Sequence, residues 1–283
     1  MKNSPKINIV VLNYNGKDCI ESCLKSLFCL NYPRFEVIVV DNNSIDGSLE
    51  IARRKFPKVT YIKNEENLGF SAGNNVGIKY SLEKMADFVL ILNNDTEVEV
   101  NLLNKLVERM QSDSRVGIAC PVILSSNSDK VWFSGGKIDW LRMKATHAVG
   151  SLDFVSGCSM LVRAEVFKKI GLFDEDFFLY WEDVDFSVRA RKAGFINSIV
   201  HSCFVRHFEK SENHRKNKTY WLVLSGLIFF KKNASNWTKL WLWFYLALRK
   251  AKNRYDLHKN KKDEIALIVQ KAYQDFNKFE CRK

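Results

Sequence analysis

Five consecutive apolar residues, Phe88 to Leu92, run directly into Asn93, Asn94 and Asp95. A run this short and unbroken fits a strand covered on both faces, as in a parallel sheet between layers of helix. Val37–Val40 repeats the form and ends in Asp41, Asn42, Asn43 and Ser44. In open α/β sheets, ligands bind just beyond the carboxyl ends of the strands. Two such runs in one half of a chain therefore predict a site along one sheet edge.

The rest of the first 120 residues agrees. Strands are expected at Ile7–Leu12, Glu36–Val40, Val59–Ile62, Phe88–Leu92 and Val116–Cys120, the last stopped by Pro121. Between them, Cys19–Leu30, a segment opening at Asp46, Ala72–Leu82 and Asn101–Met110 carry apolar residues at helical spacing. Such alternation implies a doubly wound α/β sheet. Beyond residue 121 the pattern loosens. Asp153–Val162 reads as a weak strand and Asp183–Lys192 as a helix stopped by Gly194.

Charge divides the chain. Its 283 residues carry +12, and residues 206–283 alone hold 19 Lys/Arg against 7 Asp/Glu, whereas the rest is balanced. This shift marks a boundary. Within the basic part, Trp221–Phe230 and Leu240–Leu248 are nearly or wholly apolar, yet both fall short of the roughly 18–20 residues that span a bilayer. Aromatic segments flanked by Lys and Arg suit a helix lying in an anionic membrane interface; a helical pair packed on the core is the alternative. Seven cysteines without a Cys-x-x-Cys pair argue against a disulfide framework or a zinc cluster. With no signal-peptide pattern at the start, the expected location is cytoplasmic.

The candidate site residues fall in four polar clusters and one histidine. Asp95 can hold a hard cation beside a phosphate, with an amide oxygen from Asn93 or Asn94, or it can merely cap a turn. Asp41, with Asn42, Asn43 and Ser44, can accept from a base and from sugar hydroxyls, or form a turn. Asn67 to Gly77 is glycine-rich and opens a helix that could meet an anion. In Tyr180–Arg189, helical spacing pairs Asp185 with Arg189 and leaves Asp183 free for chemistry. The aromatic residues beside it would raise a carboxyl's basicity. His207 is a metal-ligand candidate, though a lone histidine is more often structural.

In this order the motifs resemble glycosyltransferase family 2, the inverting nucleotide-sugar transferases of GT-A fold, in the rhamnosyltransferase-like branch. The matching segments are Val10–Gly16 (VVLNYNG), Val39–Ser44 (VVDNNS), Asn67–Asn74 (NLGFSAGN), Leu92–Asp95 (LNND), Phe133–Gly136 (FSGG), Ser156–Arg163 (SGCSMLVR) and Trp181–Arg189 (WEDVDFSVR). The resemblance implies a Rossmann-like, mixed but mostly parallel sheet flanked by helices, with a C-terminal helical extension. It implies a GT-A domain over 1–210, split into a nucleotide-sugar half at about 1–120 and an acceptor half at about 121–210, and an extension over 211–283. Asn13, Asn15, Asp41, Asn43, Asn67, Gly69, Asn74 and Asn94 would bind the donor nucleotide. Asp95 and His207 would hold Mg²⁺ or Mn²⁺, and Asp183 would be the catalytic base. Trp132, Gly135, Gly136, Trp181 and Glu182 would lie on the acceptor side, with Trp132, Phe133 and Trp181 either stacking on the acceptor or packing the pocket.

The family's acid-x-acid motif reads Asn93-Asn94-Asp95 here, so the first carboxylate is replaced by an uncharged amide and the cation site is weaker. The implied donor is dTDP-rhamnose or a UDP-sugar, and the acceptor is a glycan or lipid-linked hydroxyl at the inner face of the cell membrane. A sugar nucleotidyltransferase is a rival, but Asn13–Asp18 has only one Gly and one Lys for a triphosphate loop. A module using the basic tail on membranes or nucleic acid is the non-enzymatic rival. The tail, however, is a dense apolar block rather than an open groove, so no nucleic-acid partner is expected.

Overall fold

The computed structural model describes residues 4–126, 128–208 and 215–281. They form two compact units, the first built from segments 1–137, 147–175 and 182–209, the second from 138–146, 176–181 and 210–283. The boundary expected at 210/211 lies outside the described residues. Two short segments from the body of the chain join the C-terminal part in the second unit.

The first unit opens with β1 (Ile7–Asn13), α1 (Ile20–Phe28), β2 (Phe35–Asp41), α2 (Ser48–Lys55), β3 (Thr60–Lys63), α3 (Gly69–Glu83) and β4 (Phe88–Asn93). These four strands lie parallel in the order β3-β2-β1-β4. The apolar runs of β1, β2 and β4 are buried because helices cover them. In α1 the buried residues are Ile20, Cys23, Leu24 and Leu27, the helical spacing expected. Asp46 is expected to cap α2, but the capping position falls on Gly47, which has no side chain to do so; the Asp46 carboxylate, one residue earlier, accepts from the Ser48 N–H at 3.0 Å.

The mixed half follows, with β5 (Thr96–Val98), α4 (Leu102–Ser112), β6 (Val116–Ser125), β7 (Val131–Phe133), β8 (Gly136–Asp139), β9 (Lys144–His147), β10 (Ser159–Arg163), α5 (Ala164–Ile170), α6 (Glu182–Lys192) and β11 (Ile196–His207). The sheet continues past β4 as β10-β6-β11-β5, with β7 on the side of β6, and β8 and β9 pair separately. β10 runs antiparallel to β4, which makes the sheet mixed.

Three expectations need correction. Pro121 does not stop its strand, because β6 continues to Ser125. Its missing N–H is tolerated because the β11 ladder breaks opposite it, with a register shift between Val200 and Phe204. The strand expected at Asp153–Val162 is regular only from Ser159. β5 and β11 were not foreseen, and β11 carries His207.

The second unit contains residues 138–139 of β8 and 144–146 of β9, with α7 (Arg215–Asn233), α8 (Asn236–Lys259) and α9 (Glu264–Cys281). Leu224, Leu227, Ile228, Phe229 and Phe230 of α7 are buried. Trp140 and Trp181 stack near the Phe229 ring, with centroids 5.6 and 5.1 Å away. Packing therefore accounts for the first apolar segment. It does not account for the second, since on α8 only Leu242 and Asn253 are buried. No helix of the described residues is long and apolar enough to cross a membrane.

Candidate active site

Parallel pairing aligns the ends of β1, β2 and β4. Asn13 lies opposite Asp41, and Leu12 opposite Asn93. Fully buried Asn13 then joins the strand ends through its side chain. Its Nδ2 donates to Asp41 Oδ1 at 2.7 Å, Ser48 Oγ at 2.9 Å and Ser44 Oγ at 3.1 Å. Its Oδ1 accepts from Asn94 Nδ2 at 2.9 Å. Gly16 packs on this last pair so closely that a Cβ there would come within 2.3 Å of both amides. Asp41 is buried and also accepts from Ser44 Oγ and N–H at 2.6 and 3.0 Å. Both of its oxygens thus help to shape the loop.

The neighbouring loops are held in the same way. Asn15 and Asn43 adopt left-handed backbone, at φ 50° and 60°, which asparagine tolerates well. Asn15 Oδ1 accepts from the Ile45 N–H at 3.0 Å. Asn67 Oδ1 accepts from the Gly69 N–H and from Asn42 Nδ2, at 2.9 and 3.1 Å. Buried Asn42 also donates to the Gly69 carbonyl at 2.9 Å, so it knits the second and third polar clusters together. Asn74 is buried and donates to the Phe70 carbonyl one helical turn back, and its Oδ1 has no partner among the described residues.

Asp95 follows β4. β11 pairs antiparallel with β5, setting His207 opposite Thr96, and the Phe208 N–H donates to the Asp95 carbonyl at 2.8 Å. His207 Nε2 therefore sits 3.3 Å from Asp95 Oδ1. No hydrogen bond joins them, and among the described residues buried Asp95 Oδ1 and His207 Nδ1 have no hydrogen-bond partner. An orphaned carboxylate oxygen beside an imidazole is a ligand pair that a divalent cation fits. No group of three His, Cys, Asp or Glu side chains among the described residues could enclose one. For such a cation the remaining ligands would come from water and substrate phosphate, as Mg²⁺ ordinarily allows.

Asp183 reaches the same edge by another route. β10 pairs with β4 so that Ser159 faces Leu92, and the Asn93 N–H donates to the Cys158 carbonyl at 3.0 Å. One residue earlier, the Gly157 N–H donates to Asp183 Oδ2 at 2.8 Å. Both acids also act on the buried Cys158 thiol, which is pushed well above its usual value by burial first, with the Asp95 and Asp183 charges adding to the effect. Asp95 and Asp183 thus share one strand end.

Asp183 is half-buried, and dense protein around its carboxylate raises its pKa. Hydrogen bonds from the Gly157 and Val184 N–H groups, and the charge of His147, pull it back in part. Glu182 is pushed well above the usual carboxylate range by burial and then by the Asp183 charge, and its Oε2 has no partner among the described residues. Just before them, Tyr180 and Trp181 both adopt positive φ, 64° and 72°, a costly backbone of the kind concentrated at functional sites. Asp185 pairs with Arg189 at 2.6 Å, as the spacing predicts.

On the side assigned to the acceptor, Trp132 is half-buried. Its ring meets His207 and His147 edge-on, with centroids 4.9 and 4.7 Å away. His147 was missed by sequence reasoning. Gly135 has φ 139°, and a Cβ there would strike the Ser151 and Ala148 carbonyls; one on Gly136 would strike the Phe154 ring. Both glycines therefore serve a tight chain crossing. Trp181 departs from its expected place. It is 9% exposed, it packs on Phe229 and Phe230, and its indole N–H is used by the Leu222 carbonyl at 3.0 Å. Trp181 is a packing residue of the second unit.

A separate cavity of about 460 Å³ opens at the other end of β4, lined by residues including Asp87, Arg163 and Lys168. Its Arg163 is occupied by the Met110 and Val116 carbonyls, and we assign the cavity no chemistry.

The model of the family described as glycosyl transferase family 2 matches residues 8–171. The chain is 31% identical over 198 residues to the low-salt glycan biosynthesis hexosyltransferase Agl10 of Haloferax volcanii, covering 66% of this chain and 62% of that one. It is 26% identical over 263 residues to the N-acetylglucosaminyl-diphospho-decaprenol L-rhamnosyltransferase of Mycobacterium tuberculosis, covering 81% of this chain and 85% of that one. Among solved structures, GalNAc-T7 with UDP, GalNAc and Mn²⁺ aligns with a TM-score of 0.64 at 17% identity, over 80% of this chain and 51% of that one. The chain thus spans between half and two thirds of the length of Agl10 and of GalNAc-T7. The structural likeness shows the GT-A fold.

Proposed function

The chain belongs to glycosyl transferase family 2, and on that premise we propose that it moves a sugar from a nucleotide-diphospho-sugar to an acceptor hydroxyl, inverting the anomeric centre. The observation carrying this reading is the delivery of Asp95 and Asp183 to one strand end through the Asn93–Cys158 and Gly157–Asp183 hydrogen bonds, 3.0 and 2.8 Å long.

In this reading Asp183 takes the proton of the acceptor hydroxyl as the new bond forms. Its raised pKa makes it a stronger base than an ordinary aspartate, and two backbone N–H groups fix its aim. Asp95 and His207 would hold Mg²⁺ or Mn²⁺, which when bound offsets charge growing on the departing nucleoside diphosphate. The loops around Asn13, Asn15, Asp41, Asn43, Asn67, Gly69, Asn74 and Asn94 form the donor nucleotide pocket, with Asn13 and Asp41 as its scaffold. Trp132 and His147 line the acceptor side. Inversion follows because hydroxyl and leaving group occupy opposite faces of the sugar.

The L-rhamnosyltransferase supports rhamnose as the sugar moved, the dTDP-rhamnosyl transferase RfbF of Shigella flexneri, 26% identical over 212 residues, supports dTDP-rhamnose as its donor, and UDP in GalNAc-T7 supports a UDP-sugar. The diphospho-decaprenol in the relative's name supports a lipid-linked acceptor, and with it a peripheral place at the inner face of the cell membrane.

The test is a thermal-shift panel of nucleoside diphosphates and nucleotide sugars, with and without Mn²⁺, followed by product analysis. A dTDP- or UDP-sugar should raise the midpoint more with Mn²⁺ than without, and turnover should release the nucleoside diphosphate. Release of pyrophosphate would turn the reading to a nucleotidyltransferase. Salt-sensitive DNA binding without nucleotide-sugar binding would turn it to a non-enzymatic module.

A further inference from the structure

Helix α8 wears its apolar residues on the outside. The face turned into the three-helix unit carries Leu242 and Asn253, eleven residues and thus about three turns apart. Asn253 Nδ2 donates to the Ala266 carbonyl of α9 at 3.1 Å. The opposite face carries Trp237, Leu240, Trp243, Phe244 and Leu248, exposed by 86, 66, 71, 51 and 53%. At 100° per residue these span an arc of roughly 140°. A helix whose outer face meets water places charge there instead.

The last turns of α8 and the link to α9 supply the opposite character. Arg254, Lys259, Lys261 and Lys262 are exposed, and so is Lys239 at the other end. None of the five makes an ion pair with a described residue. The apolar stretch Leu240–Leu248 is only about 14 Å long at 1.5 Å per residue, far short of a bilayer's hydrocarbon core of about 30 Å.

We propose that the outer face of α8 docks on an anionic lipid bilayer, lying in the plane of the interface. Trp237, Trp243, Phe244 and Leu248 enter the boundary between headgroups and acyl chains, where Trp rings are favoured. The flanking Lys and Arg meet acidic headgroups, reaching outward on flexible stems. Charge selects this occupant over a second copy, because self-association would bring together two tails that each hold 19 basic and 7 acidic residues over 206–283. The inference deepens the peripheral location proposed above by naming the surface responsible, and binding needs no sugar donor.

The experiment uses the full chain and vesicles of phosphatidylcholine, with or without phosphatidylglycerol. The protein should sediment with the mixed vesicles about tenfold more tightly than with the neutral ones. Combined Trp237→Ser, Phe244→Ser and Leu248→Ser should weaken that binding at least about tenfold. Acyl-brominated lipid should quench the parent's Trp emission, and Trp237→Phe with Trp243→Phe should remove most of that quenching. Equal binding of parent and triple variant, absent quenching, or a vesicle-free dimer that the triple variant abolishes would each overturn the proposal. If vesicle binding holds while no nucleotide sugar binds, the docking surface stands and the transferase reading falls.

Discussion

Asn13→Ala should cost far more stability than an asparagine near a loop ordinarily does. Asn13 is fully buried at the end of β1, and its amide is the clasp between β2, α2 and the residues after β4. Truncation removes a hydrogen bond to the buried Asp41 carboxylate, worth about 1.5–3 kcal/mol, and at least one neutral bond worth about 0.5–1.5 kcal/mol. Asp41 keeps its two bonds from Ser44, so it is not stranded. The expected loss is then about 2–4 kcal/mol. At about 2–4 °C per kcal/mol for a domain of this size, thermal unfolding should shift down by roughly 10 °C.

Asn13→Asp separates electrostatics from packing. It sets a second carboxylate beside one whose oxygen is 2.7 Å from the present amide. At an effective dielectric near 20, two charges that close repel by about 6 kcal/mol, so one stays protonated. A carboxyl pKa raised by folding stabilises below its unfolded value, and that stability is lost as pH rises through the folded value. Asn13→Asp should therefore lose stability as pH rises from about 4, the ordinary carboxylate value, towards the raised one, while Asn13→Ala should not. Calorimetry at several pH values reads both effects. A loss under about 1 kcal/mol for Asn13→Ala, or parallel pH profiles for the two variants, would refute the clasp.

Two further outcomes test the acids and the cation. Glu182, with its pKa raised well above 4.5 by burial and by Asp183, should cost the protein stability as pH climbs from that value, at about 1.4 kcal/mol per pH unit until it ionises in the folded state. Glu182→Gln should flatten that slope in thermal unfolding from pH 5 to 8, and an unchanged slope would contradict the assignment. Asp95→Ala and His207→Ala should each weaken donor binding at least about tenfold with Mn²⁺ present and leave it unaltered in EDTA; equal losses in both conditions would remove the cation from the site.

The parallel half was legible because its signal is simple. β1, β2 and β4 each carry a run of four or five apolar residues that ends in Asn or Asp, and a strand buried on both faces produces that pattern. Asp183 was legible through spacing, since Asp185 and Arg189 pair along α6 and turn the neighbouring acid elsewhere. The antiparallel half was not. β11 mixes Ser, His and Cys with apolar residues, and its break between Val200 and Phe204 destroys the alternation a reader would seek. His147 lies on the exposed ribbon strand β9, whose short polar sequence carries no periodic signal. Trp181 misled because an aromatic beside two acids resembles a pocket wall, whereas its partners Phe229 and Phe230 lie about fifty residues onward and only tertiary packing brings them to it. The apolar stretches of α7 and α8 look alike in sequence, yet one is buried and the other faces outward.

The most direct trial is Asp183→Asn, assayed for donor binding and for sugar transfer on the same preparation. The account predicts that the nucleotide sugar binds in Mn²⁺ as it does to the parent, while transfer falls by about 10²–10⁴-fold, the usual worth of a positioned base. Transfer at the parent's rate would contradict it, and so would a loss of donor binding that accounts for the whole defect.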